Sequence, residues 1–211
     1  MNFVDIHLEP IQSDTKKKIL ETAIDFFSRK GYTGVSVRDI TREVGIKESS
    51  LYKHFKNKDE ILETIFLNFR IDSAIILPPV ERIDAILEAI GPEEFLNTGL
   101  KNFMKHAEDP NMRSIWRIMY IEQFRDPLAK EIYSHDIVRK TVDFLALAFG
   151  RMIARQQIRP FDPMTLAVEY QYPLFTMIME YIMVKSDGMD SSDVERKMSE
   201  HVRFFWSAVK P

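Results

Sequence analysis

The stretch KKKILETAIDFFSRKGYTGVSVRDITREVGIKESSLYKHFKNKDEIL, residues 16–62, decides the fold of this chain. Ile19, Ala23, Phe26 and Phe27 stand at i, i+4, i+7 and i+8, which is one apolar stripe of a helix. Gly31 ends that helix, as a glycine at the position after the cap does. Ser36 opens a short helix with Asp39 as its capping-box partner three residues on. Val37, Ile40 and Val44 form its buried side, and Gly45 ends it. After a three-residue turn, a second short helix is predicted over about 48–55, with Leu51 and Phe55 pointing inward. Two short helices joined by a glycine-containing turn are a helix-turn-helix. The first braces, and the second brings its N-terminal residues to base edges in the major groove. Asn57 begins a further helix, with Glu60 as its acidic third residue, that runs through Ile61, Leu62, Ile65, Phe66 and Phe69 to about Ile76.

Working outward, Pro78-Pro79 breaks the chain and marks a joint. Helices are predicted over 80–90, over 92–108 with proline at the first helical position, and over 111–124. Asp126-Pro127 caps a long helix to about Gln157. Asp162-Pro163 caps another to about Lys185, interrupted by Pro173, and a last helix covers 191–209. No alternating strand, internal repeat or low-complexity tract is found. The expectation is an all-α fold of nine or ten helices. Residues 1–14 are expected to be a mobile arm, because nothing in them forces structure.

Composition narrows the function classes. The chain has 211 residues, 45% apolar and 29% charged, as a soluble globular protein has. It has no cysteine, so a disulfide scaffold, a thiolate metal site and a cysteine nucleophile are excluded. No apolar run reaches about 18 residues, so no membrane partner is expected. Residues 1–10 carry Asp5 and Glu9 and no Lys or Arg, unlike a signal peptide, and a reducing cytoplasm is the expected compartment. The net charge is -3, yet residues 15–58 hold eleven bases against five acids, or +6, leaving -9 on the remainder. Such a segment is either a polyanion-binding surface or an ordinary solvated helix face.

The long run of features in register makes residues 16–62 resemble the tetracycline-repressor (TetR/AcrR-like) family of transcription regulators. The carriers are the paired aromatics before Gly31-Tyr32, the VSVRDI opening of the brace helix, Val44-Gly45-Ile46, Leu51-Tyr52-Lys53-His54-Phe55 and Asn57-Lys58. The all-helical remainder agrees in length and layout, including Gln157-Ile158-Arg159-Pro160 before the Asp162-Pro163 helix. The resemblance implies a DNA-binding head over 1–58 and an effector-binding and dimerisation domain over 59–211. It implies that Ser36, Tyr52, His54 and Lys58 hold phosphates, while Arg38, Ser49, Ser50 and Lys53 face bases or nearby phosphates. Relatives often carry serine or threonine where this chain has Lys47, which cannot accept a backbone N–H but can reach a phosphate or a guanine. Glu48 either favours the helix dipole or accepts from a cytosine amino group. Phe26, Phe27, Tyr32, Leu51 and Phe55 are read as core of the head, and Lys16–Lys18 as a solvated face.

The same resemblance implies a homodimer on a palindromic double-stranded operator, released by a small-molecule effector, with no cofactor and no metal. Trp116, Tyr120 and Phe175 are the candidate effector contacts, and plain core is the alternative for each. Arg117 and Glu122 either add polar specificity or face water. Leu174, Ile178, Val202, Phe205 and Trp206 are candidates for the dimer interface, or else pack within one chain. Against an enzyme, no HExxH occurs, no Glu stands three residues before any of the five histidines, and neither G-x-S-x-G nor G-x-x-x-x-G-K-[ST] appears. A helical adaptor would explain the apolar faces but not the motif from Ser36 to Lys58.

Overall fold

The computed structural model describes residues 3–211. It is all-α among those residues, apart from one isolated bridge between Val4 and Pro10. The helices are α1 (Asp14–Lys30), α2 (Val37–Val44), α3 (Glu48–Leu51), α4 (Lys58–Ala74), α5 (Ile83–Glu108), α6 (Pro110–Glu122), α7 (Pro127–Glu131), α8 (Lys140–Ala154), α9 (Pro163–Ser186) and α10 (Ser192–Val209). A 3₁₀ turn, Val80–Arg82, precedes α5, and a π-helical stretch, Ile132–Arg139, joins α7 to α8. Gly91, with φ 73°, bends α5 at the point where the sequence predicts two helices. By contrast, α9 passes through Pro173 without interruption.

Two compact units are formed. The first takes the chain up to Ser73 together with Asp109–Tyr133, and the second takes Ala74–Glu108 together with Ser134–Pro211. The first unit therefore continues beyond the 58/59 boundary expected from the sequence: it takes in nearly all of α4, and α6 packs on α1. Its core holds Ile19, Leu20, Phe27, Ile40, Leu51, Phe55, Phe66 and Phe69. Phe27, Leu51 and Phe55 lie in the core as expected.

Residues 3–11 are not a loose arm. Phe3 and Ile11 are buried, and the Ile11 N–H donates to the Phe3 carbonyl at 2.9 Å. The Asn68 side chain grips Val4 from both sides, accepting from its N–H at 2.8 Å and donating to its carbonyl at 2.7 Å. Asp5 accepts from the His7 and Glu9 N–H groups and pairs with Lys16 at 3.4 Å.

In the second unit α5, α8, α9 and α10 share a core in which Tyr170 meets Phe205 at 5.0 Å and Phe149 meets Phe205 at 5.5 Å between ring centroids. The Tyr170 hydroxyl donates to the Leu96 carbonyl. Here the interface candidates need correction. Leu174, Ile178, Val202 and Phe205 are each 6% exposed or less, so they fill the core of their own unit. Apolar periodicity marks a face that must be covered, and in this unit the cover is the neighbouring helix. Trp206 is half-buried, and Phe204 beside it is the exposed one at 72%.

Candidate nucleic-acid interface

The geometry of the helix-turn-helix follows from local chemistry. The Ser36 Oγ accepts from the Asp39 N–H, and the Asp39 carboxylate accepts from both the N–H and the hydroxyl of Ser36. Those hydrogen bonds, the hydroxyl one first, hold the Asp39 carboxyl below its ordinary value. Gly45 takes the left-handed backbone (φ 81°, ψ 33°) that turns the chain, which is costly for a residue with a Cβ. Lys18 donates to the Val44 carbonyl at 3.1 Å and so covers an end group of α2. Lys16 pairs with Asp5 and lies over the Phe55 ring at 5.1 Å. Neither lysine is the merely solvated face expected from the sequence.

Regular α3 is shorter than predicted. Lys47 stands at its N-cap without a side-chain hydrogen bond, as expected for a residue that cannot accept one. After Leu51 the chain tightens: the His54 N–H donates to the Leu51 carbonyl at 2.8 Å and Lys53 N–H to Ser50 at 3.3 Å. This leaves Lys47, Ser49, Tyr52 and Lys53 exposed, Ser50 and His54 half-buried, and Leu51 and Phe55 buried. Arg38 and Arg42 are exposed on α2, and with Thr41, Ile46, Lys47, Glu48 and Ser49 they line an open groove. Across it, Arg38 Nε donates to Glu48 Oε1 at 2.9 Å. Glu48, in the first turn of α3, thus reaches across to α2.

Lys58 has a different setting. Its ammonium donates to the carbonyls of Tyr32 at 2.9 Å and Val35 at 2.8 Å, and stands 4.0 Å from the centre of the Tyr32 ring. Burial draws its pKa below the ordinary lysine value, against the pull of Asp59 and Glu122. The Tyr32 hydroxyl in turn bonds Asp59, and burial followed by this bond pushes the phenol well above its ordinary value. Lys58 therefore staples the turn between α1 and α2 to the start of α4, a role the sequence did not reveal. Two of its three N–H directions are committed within the head.

Glu122, at the end of α6, does not face water. It is 2% exposed, and its Oε1 accepts from the Tyr32 N–H at 2.9 Å. Trp116 and Tyr120 on α6 stack at 5.9 Å, with Trp116 edge-on to Phe69 at 4.8 Å and Tyr120 edge-on to Tyr133 at 5.6 Å. Phe175 belongs to the second unit, beside Tyr172 at 6.2 Å. No helix of the described residues is long and apolar enough to cross a membrane, and no group of three or more His, Asp or Glu among them could hold a metal ion.

Comparison with known proteins agrees with this geometry. The family model of bacterial regulatory proteins, tetR family, matches residues 19–65. The biofilm operon icaADBC HTH-type negative transcriptional regulator IcaR of Staphylococcus epidermidis is 52% identical over 46 residues, which are 22% of this chain and 25% of IcaR. The match thus spans a quarter of that relative's length. Over nearly the whole chain the fold is that of SmeT in its complex with triclosan, at a TM-score of 0.66 and 21% identity, covering 94% of this chain and 93% of SmeT. SmeT is the repressor of the Stenotrophomonas maltophilia multidrug efflux pump SmeDEF. The flavonoid-responsive regulator FrrA is similar at a TM-score of 0.59 and 18% identity, covering 93% of this chain and 97% of FrrA. The tetR-family match thus lies on residues 19–65, and the chain as a whole has the all-helical fold of these solved regulators.

Proposed function

We propose that this chain, with its tetR-family head, is a ligand-responsive, sequence-specific DNA-binding regulator of transcription. In this reading it is a cytoplasmic homodimeric repressor, released from a palindromic operator by a small apolar or amphipathic molecule. The observation that carries it is the open groove between α2 and α3, lined by the exposed Arg38, Lys47 and Ser49, with Tyr52 and Lys53 exposed beyond it for contact with the DNA backbone and Leu51 and Phe55 buried behind. Exposed donors on a short helix held from behind are what reading base edges requires. Ser50 and His54 flank this surface, and Ser36 and Lys58 offer phosphate contacts at helix starts.

Two heads related by a twofold axis read half-sites with centres about 34–36 Å apart, or a multiple of that. Effector release requires a ligand that binds the non-DNA-binding arrangement more tightly. The aromatic row of Trp116 and Tyr120 supports an apolar ligand, and the triclosan bound by SmeT is of that kind; Phe175, in the second unit, is a separate candidate. The test is footprinting of the region upstream of the coding sequence together with a filter-binding salt titration. A dimer holding on the order of 6–10 phosphates loses about a thousandfold or more in affinity between 50 and 200 mM salt. A flat salt response, or a footprint without dyad symmetry, overturns the reading.

A further inference from the structure

The Arg38–Glu48 pair crosses the helix-turn-helix groove. It joins the exposed side of α2 to the first residue of α3 at 2.9 Å, with the two side chains 83% and 42% exposed. An ion pair this open to water adds little to stability, so fold maintenance is a poor account of it. Its geometry is more informative. Glu48 takes Nε of Arg38 through one oxygen. The guanidinium is planar, so fixing Nε fixes the plane and leaves the two terminal nitrogens as a fork directed away from Glu48. That fork is the shape which donates to O6 and N7 of a guanine.

Glu48 has a second consequence on the same surface. Amid Arg38, Arg42 and Lys47 it is the acid lining the groove. A carboxylate in the major groove accepts from the N4 amino group of cytosine and is repelled by the acceptor edges of thymine O4 and guanine O6/N7. Asp39, on α2, is occupied by Ser36 and by Arg42 at 2.8 Å.

Resting on the DNA-reading function above, we propose that Glu48 is a specificity-determining residue. Arg38 and Glu48 act as one reading device, in which Glu48 orients the Arg38 fork onto a guanine of each half-site and its free oxygen favours a cytosine beside that contact. Glu48 touches DNA as an acceptor and positions Arg38 as a partner. It weakens binding to DNA in general, since it is a negative charge near phosphates, and strengthens discrimination in return.

The experiment is selection from a randomised duplex library at one fixed salt concentration, using the full-length chain and its Glu48→Ala, Glu48→Gln, Arg38→Ala and Arg38→Ala/Glu48→Ala variants. Melting temperatures check folding, which these exposed positions leave intact. The wild type is expected to prefer guanine at one position of each half-site by about 5–150-fold. Arg38→Ala removes that preference. Glu48→Ala lowers it at the same position while tightening binding to unrelated duplex. Glu48→Gln, which keeps an acceptor for Nε, retains more of it than Glu48→Ala. The double variant is no worse at that position than Arg38→Ala. Unchanged base preferences in Glu48→Ala overturn the proposal, as does a change confined to a position that Arg38→Ala leaves alone. A wild type that enriches no sequence at all instead overturns the DNA-reading function beneath it.

Discussion

The backbone N–H of Tyr32, in the turn between α1 and α2, donates to the buried Oε1 of Glu122 at the end of α6, 2.9 Å away and ninety residues along the chain. The same Tyr32 receives Lys58 on its carbonyl and its ring face and bonds Asp59 through its hydroxyl. The turn that leads into the helix-turn-helix is therefore held by the start of α4 and the end of α6 at once. Gly31 beside it has φ +70°, and an added Cβ there would meet Glu122 Oε1 at 3.6 Å, so its glycine is required by backbone conformation more than by space.

Glu122→Ala leaves the Tyr32 N–H without its acceptor, a loss of about 1–3 kcal/mol. Glu122→Gln keeps an oxygen in place and is expected to cost less. Urea denaturation followed by far-ultraviolet circular dichroism measures both. Equal midpoints for Glu122→Ala and the parent chain would show that the bond contributes nothing.

Asn68 makes a comparable attachment at the N-terminal segment. Asn68→Leu removes both hydrogen bonds to Val4 and is expected to cost about 1–3 kcal/mol while exposing residues 3–11 to proteases. Limited proteolysis with N-terminal sequencing reads the effect directly. Cleavage within 3–11 at the parental rate contradicts the role assigned to Asn68.

Stability should fall in acid through particular carboxylates. Asp39 and Asp162 both lie below the ordinary aspartate value of 3.8, Asp39 through Ser36 and Asp162 through Thr165. Their folded pKa values are depressed, so the unfolded chain binds protons first. The stabilisation is complete above about pH 4 to 5 and is lost as pH falls through the lowered folded values. Thermal melts of Asp39→Asn/Asp162→Asn between pH 5 and 2 are expected to depend less steeply on pH than the parent. An identical dependence would place the acid sensitivity elsewhere.

The helix-turn-helix was legible because its determinants are local. Ser36 and Asp39 are three residues apart, and Gly45 declares its own backbone. The contacts of Glu122 and Asn68 were not legible, since their partners lie 90 and 64 residues away and nothing in composition pairs them. Glu48 was visible as an odd acid on a basic surface, but its partner across the turn was not. Periodicity found the buried faces of α9 and α10 but could not say whether a neighbour in the same unit or a second copy covers them, and so Leu174, Ile178, Val202 and Phe205 were misplaced. The π-helical stretch over Ile132–Arg139 had no signal in the residue pattern.

Trp116 is 2% exposed and packed against Phe69 and Tyr120. Trp116→Ala is therefore expected to cost about 3–5 kcal/mol, enough to confound any ligand measurement on that variant. Trp116→Phe keeps an aromatic ring there and is the informative substitution. In an indole-fluorescence screen of apolar compounds, a ligand seated near α6 changes the parent signal, and the change is largely lost in Trp116→Phe. A full change surviving in that variant would assign it to Trp206 and move the ligand site away from α6.

Lys53 and Lys58 should separate DNA contact from fold. Lys53 is exposed beyond the end of α3, with its charge turned to solvent. Lys53→Ala is expected to leave the melting temperature unchanged, to weaken binding to all sequences alike, and to reduce the salt slope by about 1 for each head. Lys58 is held by the Tyr32 and Val35 carbonyls and by the Tyr32 ring. Lys58→Ala releases two carbonyls and a partly buried cation site, so it is expected to lower the melting temperature as well as DNA affinity. A fall in affinity alone for Lys58→Ala would mean that its bonds within the head are secondary to a phosphate contact. An unchanged salt slope for Lys53→Ala would remove Lys53 from the interface.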